Sequence, residues 1–218
     1  MGKTALLAGA TGLVGEHVLQ LLLEDARYDK VTAVVRRPLA SHAKLRCVVA
    51  DFDHLADHAA ELQADDVFCC LGTTMKTAGS KEAFRKVDYD YVVNLAVLAR
   101  RRGATKFALV SAVGASLKSP AFYPLVKAEA ERDVAKLEYE AVHIFHPSFL
   151  LGERKEHRPG EKYGIALFRV VEPLLLGPTR RYRSIQAADV ARAMLETVNG
   201  PATGVHRYEH DQIVEAAQ

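Results

Sequence analysis

Short, β-branched apolar runs alternate along this chain with longer segments whose apolar positions recur at helical spacing. The runs are Thr4–Ala10, Val31–Arg36, Leu45–Asp51, Asp66–Leu71, Lys106–Ala112 and Ala141–His146. Nearly all are apolar on both faces, which is how strands buried in a parallel sheet read. Helices are expected near Leu13–Asp25, Phe52–Leu62, Lys81–Arg102 and Pro124–Leu137. Gly103 stops the third, and Arg100, Arg101 and Arg102 sit in its last turn, where the helix dipole favours positive charge. A β-α-β-α series of this kind specifies an α/β fold, a doubly wound parallel sheet with helices on both faces. After Pro147 the pattern loosens into a polar loop over Gly152–Gly160, a helix from about Lys162 to Leu176, another from Ala187 to Val198, and a short strand around Val205–Glu209. No repeat or linker divides the chain, so one domain is expected, with a core over residues 1–147 and a small C-terminal elaboration over 148–218.

Composition narrows the class without changing the fold. Of 218 residues, 49% are apolar and 26% charged, the balance of a globular chain able to bury a core. A net charge of +2, from 29 basic and 27 acidic residues, gives no excess for nucleic-acid binding. No apolar run approaches the roughly 18 residues that span a bilayer. The N-terminal residues lack a secretory h-region, and Leu6 stands where a myristoylation pattern requires Ser or Thr. Three cysteines, two of them adjacent, build no disulfide framework. A reduced, cytoplasmic protein is expected.

Candidate chemistry begins where the first run meets the first helix, at Gly9-Ala10-Thr11-Gly12-Leu13-Val14-Gly15. A glycine-rich turn there lets backbone N–H groups approach a pyrophosphate, with the positive end of the helix dipole behind them. Gly9, Thr11, Gly12, Leu13, Val14 and Gly15 are therefore expected to bind a dinucleotide. The second strand supplies an independent test: it ends in Arg36-Arg37, where an NAD site would place a carboxylate. Guanidinium groups grip a 2′-phosphate with paired charged hydrogen bonds, so NADP(H) is expected over NAD(H). Further strand ends should line the same crevice: Asp51 and Phe52 beside the adenine, Leu71, Gly72 and Thr73 where backbone passes the cofactor, and Pro147 after the sixth strand.

Tyr123 and Lys127 are four apart at the start of the helix after the fifth strand, so phenol and ammonium can share a face. An ammonium beside a phenol primes it as a proton donor to a carbonyl oxygen. Ser111, 12 residues before Tyr123, completes a candidate catalytic set as a hydrogen-bonding partner of that oxygen. Pro124 favours the first helical turn, which puts Tyr123 near the cap and makes the i,i+4 geometry approximate.

The glycine loop with Ser111, Tyr123 and Lys127 resembles the short-chain dehydrogenase/reductase superfamily in its extended or atypical branch. Cys70-Leu71-Gly72-Thr73-Thr74, the stretch Val87–Val92 and Arg158-Pro159-Gly160-Glu161 carry a closer resemblance, over nearly the whole chain, to the Tat-interactive NADPH-binding protein family and its bacterial relatives. The resemblance implies a Rossmann fold with bound NADPH. It also implies Tyr123 as acid/base, Lys127 holding the nicotinamide ribose and tuning Tyr123, and Ser111 orienting the carbonyl. Two departures stand out: His146-Pro147-Ser148 occupies the place of a usual Arg-Pro-Gly, and Ala112 that of a second serine.

Other signals read as structure. His54 with His58, and His206 with His210, have zinc-compatible spacing but no evident third ligand, so no metal is expected. Cys69 and Cys70 read as a buried pair rather than a redox site. Arg180, Arg181 and Arg183 read as a solvated loop near a substrate mouth. The function expected is an NADPH-dependent oxidoreductase acting on a small carbonyl or quinone-like molecule. The alternatives are an NADPH-binding regulator that signals through a protein partner and, less well fitted by length, a sugar-nucleotide epimerase or dehydratase.

Overall fold

The computed structural model describes residues 2–152 and 175–218. Seven strands form one all-parallel sheet: β1 (Lys3–Ala8), β2 (Tyr28–Val35), β3 (Leu45–Val49), β4 (Asp66–Cys69), β5 (Lys106–Val110), β6 (Ala141–Phe145) and β9 (Gly204–Tyr208). Their order is β3-β2-β1-β4-β5-β6-β9, so the direction of winding reverses between β1 and β4. A crevice opens at such a reversal, outside the carboxyl ends of the strands. A separate parallel pair, β7 (Leu150–Leu151) and β8 (Ile185–Gln186), lies beyond β6.

The apolar runs are strands because they bury both faces. Along β1, Ala5 and Leu7 join one core and Leu6 and Ala8 the other, as the two-residue period of a strand requires. The first core is closed by α1 (Leu13–Glu24) and α6 (Ala187–Asn199). The second is closed by α4 (Tyr91–Arg101) and α5 (Phe122–Ala135). At the amino ends of the strands, buried Asp66 accepts bonds from Tyr28 Oη at 2.7 Å and Lys3 Nζ at 3.1 Å, and Asn199 Nδ2 donates to Tyr28 Oη at 3.0 Å. That cluster satisfies a buried carboxylate and fastens the end of α6 beneath the sheet.

Three segments differ from expectation. Phe52–Glu61 forms 3₁₀ turns kinked at His54 rather than an α-helix, because the Asp51 side chain accepts from Asp53 N at 3.0 Å and tightens the first turn. Only Phe52 and Leu55 of that segment are buried, too few to hold a regular helix face. The helix expected over Lys81–Arg102 is split into α3 (Lys81–Arg85), a π turn (Lys86–Asp90) and α4, and a single-turn α2 (Met75–Ala78) precedes it. The π turn adds one residue to the helical repeat, and it falls where Asp88 is 1% exposed. After Pro147 the expected helix and strand are present as α6 and β9, which joins the sheet as its seventh strand, and the departure is a final helix α7 (His210–Ala216). The helix expected from about Lys162 to Leu176, most of the Gly152–Gly160 loop and Arg158–Glu161 lie outside the described residues.

Candidate active site

The glycine loop sits at the reversal of winding. Gly9 has φ +85°, which a side chain rarely tolerates, and a Cβ there would lie 2.4 Å from the Cys70 carbonyl oxygen. A Cβ on Gly15 would lie 2.0 Å from the Gly9 carbonyl oxygen. The two glycines therefore bring the loop after β1 against both the end of β4 and the first turn of α1. Gly12 is the N-cap of α1, and no side chain caps it. That leaves the first-turn N–H groups of Leu13, Val14 and Gly15 facing the crevice beside exposed Thr11, the arrangement that binds an anion.

Arg36 and Arg37 follow β2, are exposed, and pair with no acidic group among the described residues. Asp51 is exposed with its carboxylate turned to Asp53 N, while Phe52 is buried against Tyr91, ring centroids 5.3 Å apart. Phe52 thus serves the core. Leu71, Gly72 and Thr73 follow β4; Gly72 is exposed, and Thr73 N donates to Asp88 Oδ2 at 2.9 Å. The Pro147 carbonyl accepts from Val113 N at 3.0 Å, joining the loops after β5 and β6.

Tyr123 is the second residue of α5, inside the helix, so its i,i+4 relation to Lys127 is regular and the cap is Ala121 instead. The helix begins ahead of Pro124, as an imino group lacking N–H costs nothing in a first turn. Tyr123 is 37% exposed, its ring packed on Phe84 at 5.3 Å. Lys127 is buried, with Nζ 2.6 Å from Asp88 Oδ1. Burial alone would lower the Lys127 pKa, but Asp88 and the nearby Tyr123 phenol outweigh it and hold the ammonium above its ordinary value. A Cβ on Gly72 would lie 3.5 Å from Lys127 Nζ, so the loop after β4 is also brought to this ammonium.

Ser111 is buried, and its hydroxyl donates to Glu131 Oε1 at 2.5 Å. The same oxygen lies 2.8 Å from His146 Nε2, and Arg207 Nε approaches Glu131 Oε2 at 3.4 Å. Burial would raise the Glu131 carboxyl, yet the hydrogen bonds from His146 and Ser111 and the charge of Arg207 hold it below the usual range. Tyr123, Lys127 and Glu131 thus form one face of α5 at successive four-residue steps. Sequence reasoning missed Asp88, Glu131 and Arg207. The four-residue step from Lys127 was the signal for Glu131, whereas a π turn and a distant strand leave no local signal for the other two.

The remaining candidates are tied into the structure. His58 bonds Glu61, His206 Nε2 meets the Thr203 carbonyl, and His210 meets Asp211. Burial pushes the Cys69 thiol up to about 12 and Cys70 well above its usual value, so neither is a ready thiolate. Arg180 pairs with Asp211 at 3.1 Å and Arg181 loosely with Glu209 at 3.7 Å.

A switch-point crevice with a glycine loop on one side and an α5 face of Tyr and Lys on the other defines a dinucleotide-binding protein of Rossmann type. The chain belongs to the NAD(P)H-binding family, whose profile matches residues 9–150. It is 34% identical over 207 residues to Protein HTATIP2 of Rattus norvegicus, covering 93% of this chain and 84% of that protein. It is 37% identical over 165 residues to mitochondrial Protein FMP52 of Eremothecium gossypii, covering 75% of this chain and 74% of that one. Among solved structures it resembles the Bordetella bronchiseptica enzyme WbmH in complex with NAD+, with a TM-score of 0.71, 19% identity and coverage of 96% and 76%. A UDP-N-acetylglucosamine 4-epimerase from Methanobrevibacter ruminantium gives a TM-score of 0.71 at 16% identity, covering 95% and 76%. Those likenesses show the fold. No described helix is long and apolar enough to cross a membrane, and the FMP52 name places that relative, not this chain, in mitochondria.

Proposed function

We propose that this chain is an NADPH-dependent oxidoreductase that reduces a small carbonyl or quinone-like compound. The observation that carries the reading is the α5 face, where Tyr123 is half-exposed at the crevice and Lys127 is held charged between it and Asp88. The residues fit the cofactor: exposed Gly12 admits the pyrophosphate at the uncapped end of α1, with Gly9 and Gly15 letting the loop pack closely beneath it, and Arg36 and Arg37, which pair with no acidic group among the described residues, favour a 2′-phosphate over a bare ribose. NADPH, when bound there, would supply the hydride. Tyr123 Oη delivers the proton to the substrate oxygen, and the Lys127 ammonium stabilises the phenolate left behind. The buried Asp88 keeps Lys127 in place and charged through the cycle.

Ser111 already donates its single proton to Glu131. Until that proton turns away, the hydroxyl has none to give a substrate oxygen. This observation favours the second reading, an NADPH-binding regulator without turnover. Steady-state NADPH oxidation over a carbonyl and quinone panel separates the two. Turnover that Tyr123→Phe lowers at least a hundredfold, with NADPH affinity unchanged, supports the oxidoreductase. Full turnover by Tyr123→Phe removes Tyr123 from the chemistry, and no turnover by a cofactor-saturated protein favours the regulator.

A further inference from the structure

Two loops adjoin Tyr123, and each leaves an apolar side chain open to solvent. The segment after β4 meets the α5 face twice: a Cβ on Gly72 would lie 3.5 Å from Lys127 Nζ, and the Phe84 ring packs on Tyr123 at 5.3 Å. Met75 lies between those two contacts in the chain and is 37% exposed. The loop after β5 is tied to the same helix by Ser116 N, which donates to the Pro124 carbonyl at 3.2 Å. Leu117 is the next residue and is 50% exposed. We infer that Met75 and Leu117 set the specificity of the site, and that it takes a carbonyl compound whose remainder is apolar, an alkyl or aryl aldehyde or ketone. The inference rests on the oxidoreductase reading for the carbonyl and on the two loops for the rest of the molecule.

The chemistry of both loops favours an apolar substrate. Neither Leu71–Ser80 nor Ser111–Tyr123 contains a carboxylate. Four of their hydroxyls hold turns: Thr74 Oγ1 accepts from Thr77 N, Ser80 Oγ from Ala83 N, Ser116 Oγ from Lys118 N and Ser119 Oγ from Ala121 N, at 3.1–3.2 Å. A polyhydroxylated or charged substrate is oriented by fixed polar partners, and these loops turn theirs toward their own backbones. The charged side chains they carry, Lys76 and Lys118, are exposed, with stems long enough to keep each ammonium in water.

The ring of Tyr123 is itself backed by aromatic groups, since Phe84 also meets Phe122 at 5.8 Å. Apolar groups gathered at a crevice mark a ligand surface, whereas single ones scattered over a protein do not. An alkyl or aryl group laid against Met75 and Leu117 removes their surface and its own from water. Its carbonyl would then lie toward the half-exposed phenol of Tyr123.

The test uses the NADPH-loaded protein and unbranched methyl ketones of four to eight carbons, with dihydroxyacetone as the polar control. Binding is read by saturation-transfer NMR and turnover by NADPH oxidation. Each added methylene should tighten binding roughly twofold to fourfold, the effect of moving one such group from water to an apolar contact. Dihydroxyacetone should bind most weakly. Leu117→Ser and Met75→Ser, both at exposed positions where the fold loses little, should flatten the slope with chain length and leave NADPH affinity unchanged. Leu117→Met should keep it. Affinity independent of chain length, a slope that survives both serine substitutions together, or no binding of any ketone overturns the inference. Ketones that bind with the expected slope but oxidise no NADPH uphold the surface and count against the oxidoreductase reading instead.

Discussion

Replacing Asp88 by asparagine keeps the shape of the side chain and removes the charge that balances Lys127. The wild-type carboxylate is 1% exposed, 2.6 Å from Lys127 Nζ and 2.9 Å from Thr73 N. In the variant the ammonium stays buried and unpaired, an arrangement that costs about 3–5 kcal/mol. Lys127 can escape by losing its proton. From an ordinary value of 10.5, neutralising it at pH 7 costs about 5 kcal/mol, and at pH 9 about 2 kcal/mol. Destabilisation is therefore expected at about 3–5 kcal/mol at pH 7 and no more than about 2 kcal/mol at pH 9. Urea unfolding of wild type and variant at both pH values measures it. Adding Lys127→Met should recover most of the loss, because no buried charge then remains. A loss below about 1 kcal/mol at pH 7, or one of equal size at both pH values, would show that Lys127 is not held by Asp88.

Three further outcomes follow from other groups. His143 is fully buried on β6, and burial, then the charges of His206 and Lys106, lower its pKa from 6.5 to about 4. Between those values the unfolded chain takes up a proton that the native one refuses, so stability falls as pH drops from 6.5 toward 4, by up to about 3 kcal/mol; His143→Phe should flatten that part of the unfolding profile. Gly15→Ala forces a Cβ to within 2.0 Å of the fixed Gly9 carbonyl, and should destabilise the fold by about 1–3 kcal/mol while weakening NADPH at least tenfold in a fluorescence titration. Arg36→Ala should weaken NADPH far more than NADH in the same titration, whereas equal loss for both would remove Arg36 from 2′-phosphate recognition.

The sheet was legible because its strands are apolar on both faces, a pattern set by local residues and independent of distant contacts. All seven expected strands, the short one around Val205–Glu209 included, begin and end within three residues of the observed ones. The glycine loop and the Tyr123–Lys127 step were legible for the same reason, since a turn and a helical face are short-range features. What was hidden depends on tertiary placement. Nothing near Lys86–Asp90 announces a π turn, because the turn exists to carry Asp88 to a lysine 39 positions further along the chain. Arg207 reaches Glu131 only because β9 pairs with β6 at the far edge of the sheet. The departure His146-Pro147-Ser148 could be seen but not interpreted: where the resemblance leads one to expect arginine, this chain places a histidine against Glu131 and meets the same carboxylate with Arg207 from another strand.

The central claim is that the crevice at the glycine loop holds NADPH against the Tyr123 and Lys127 face of α5. A fluorescence titration of the purified protein with NADPH tests it most directly. Saturable binding at micromolar cofactor, tighter for NADPH than for NADH and lost in Gly15→Ala, is the predicted result. An unchanged NADPH spectrum across that range would contradict the account.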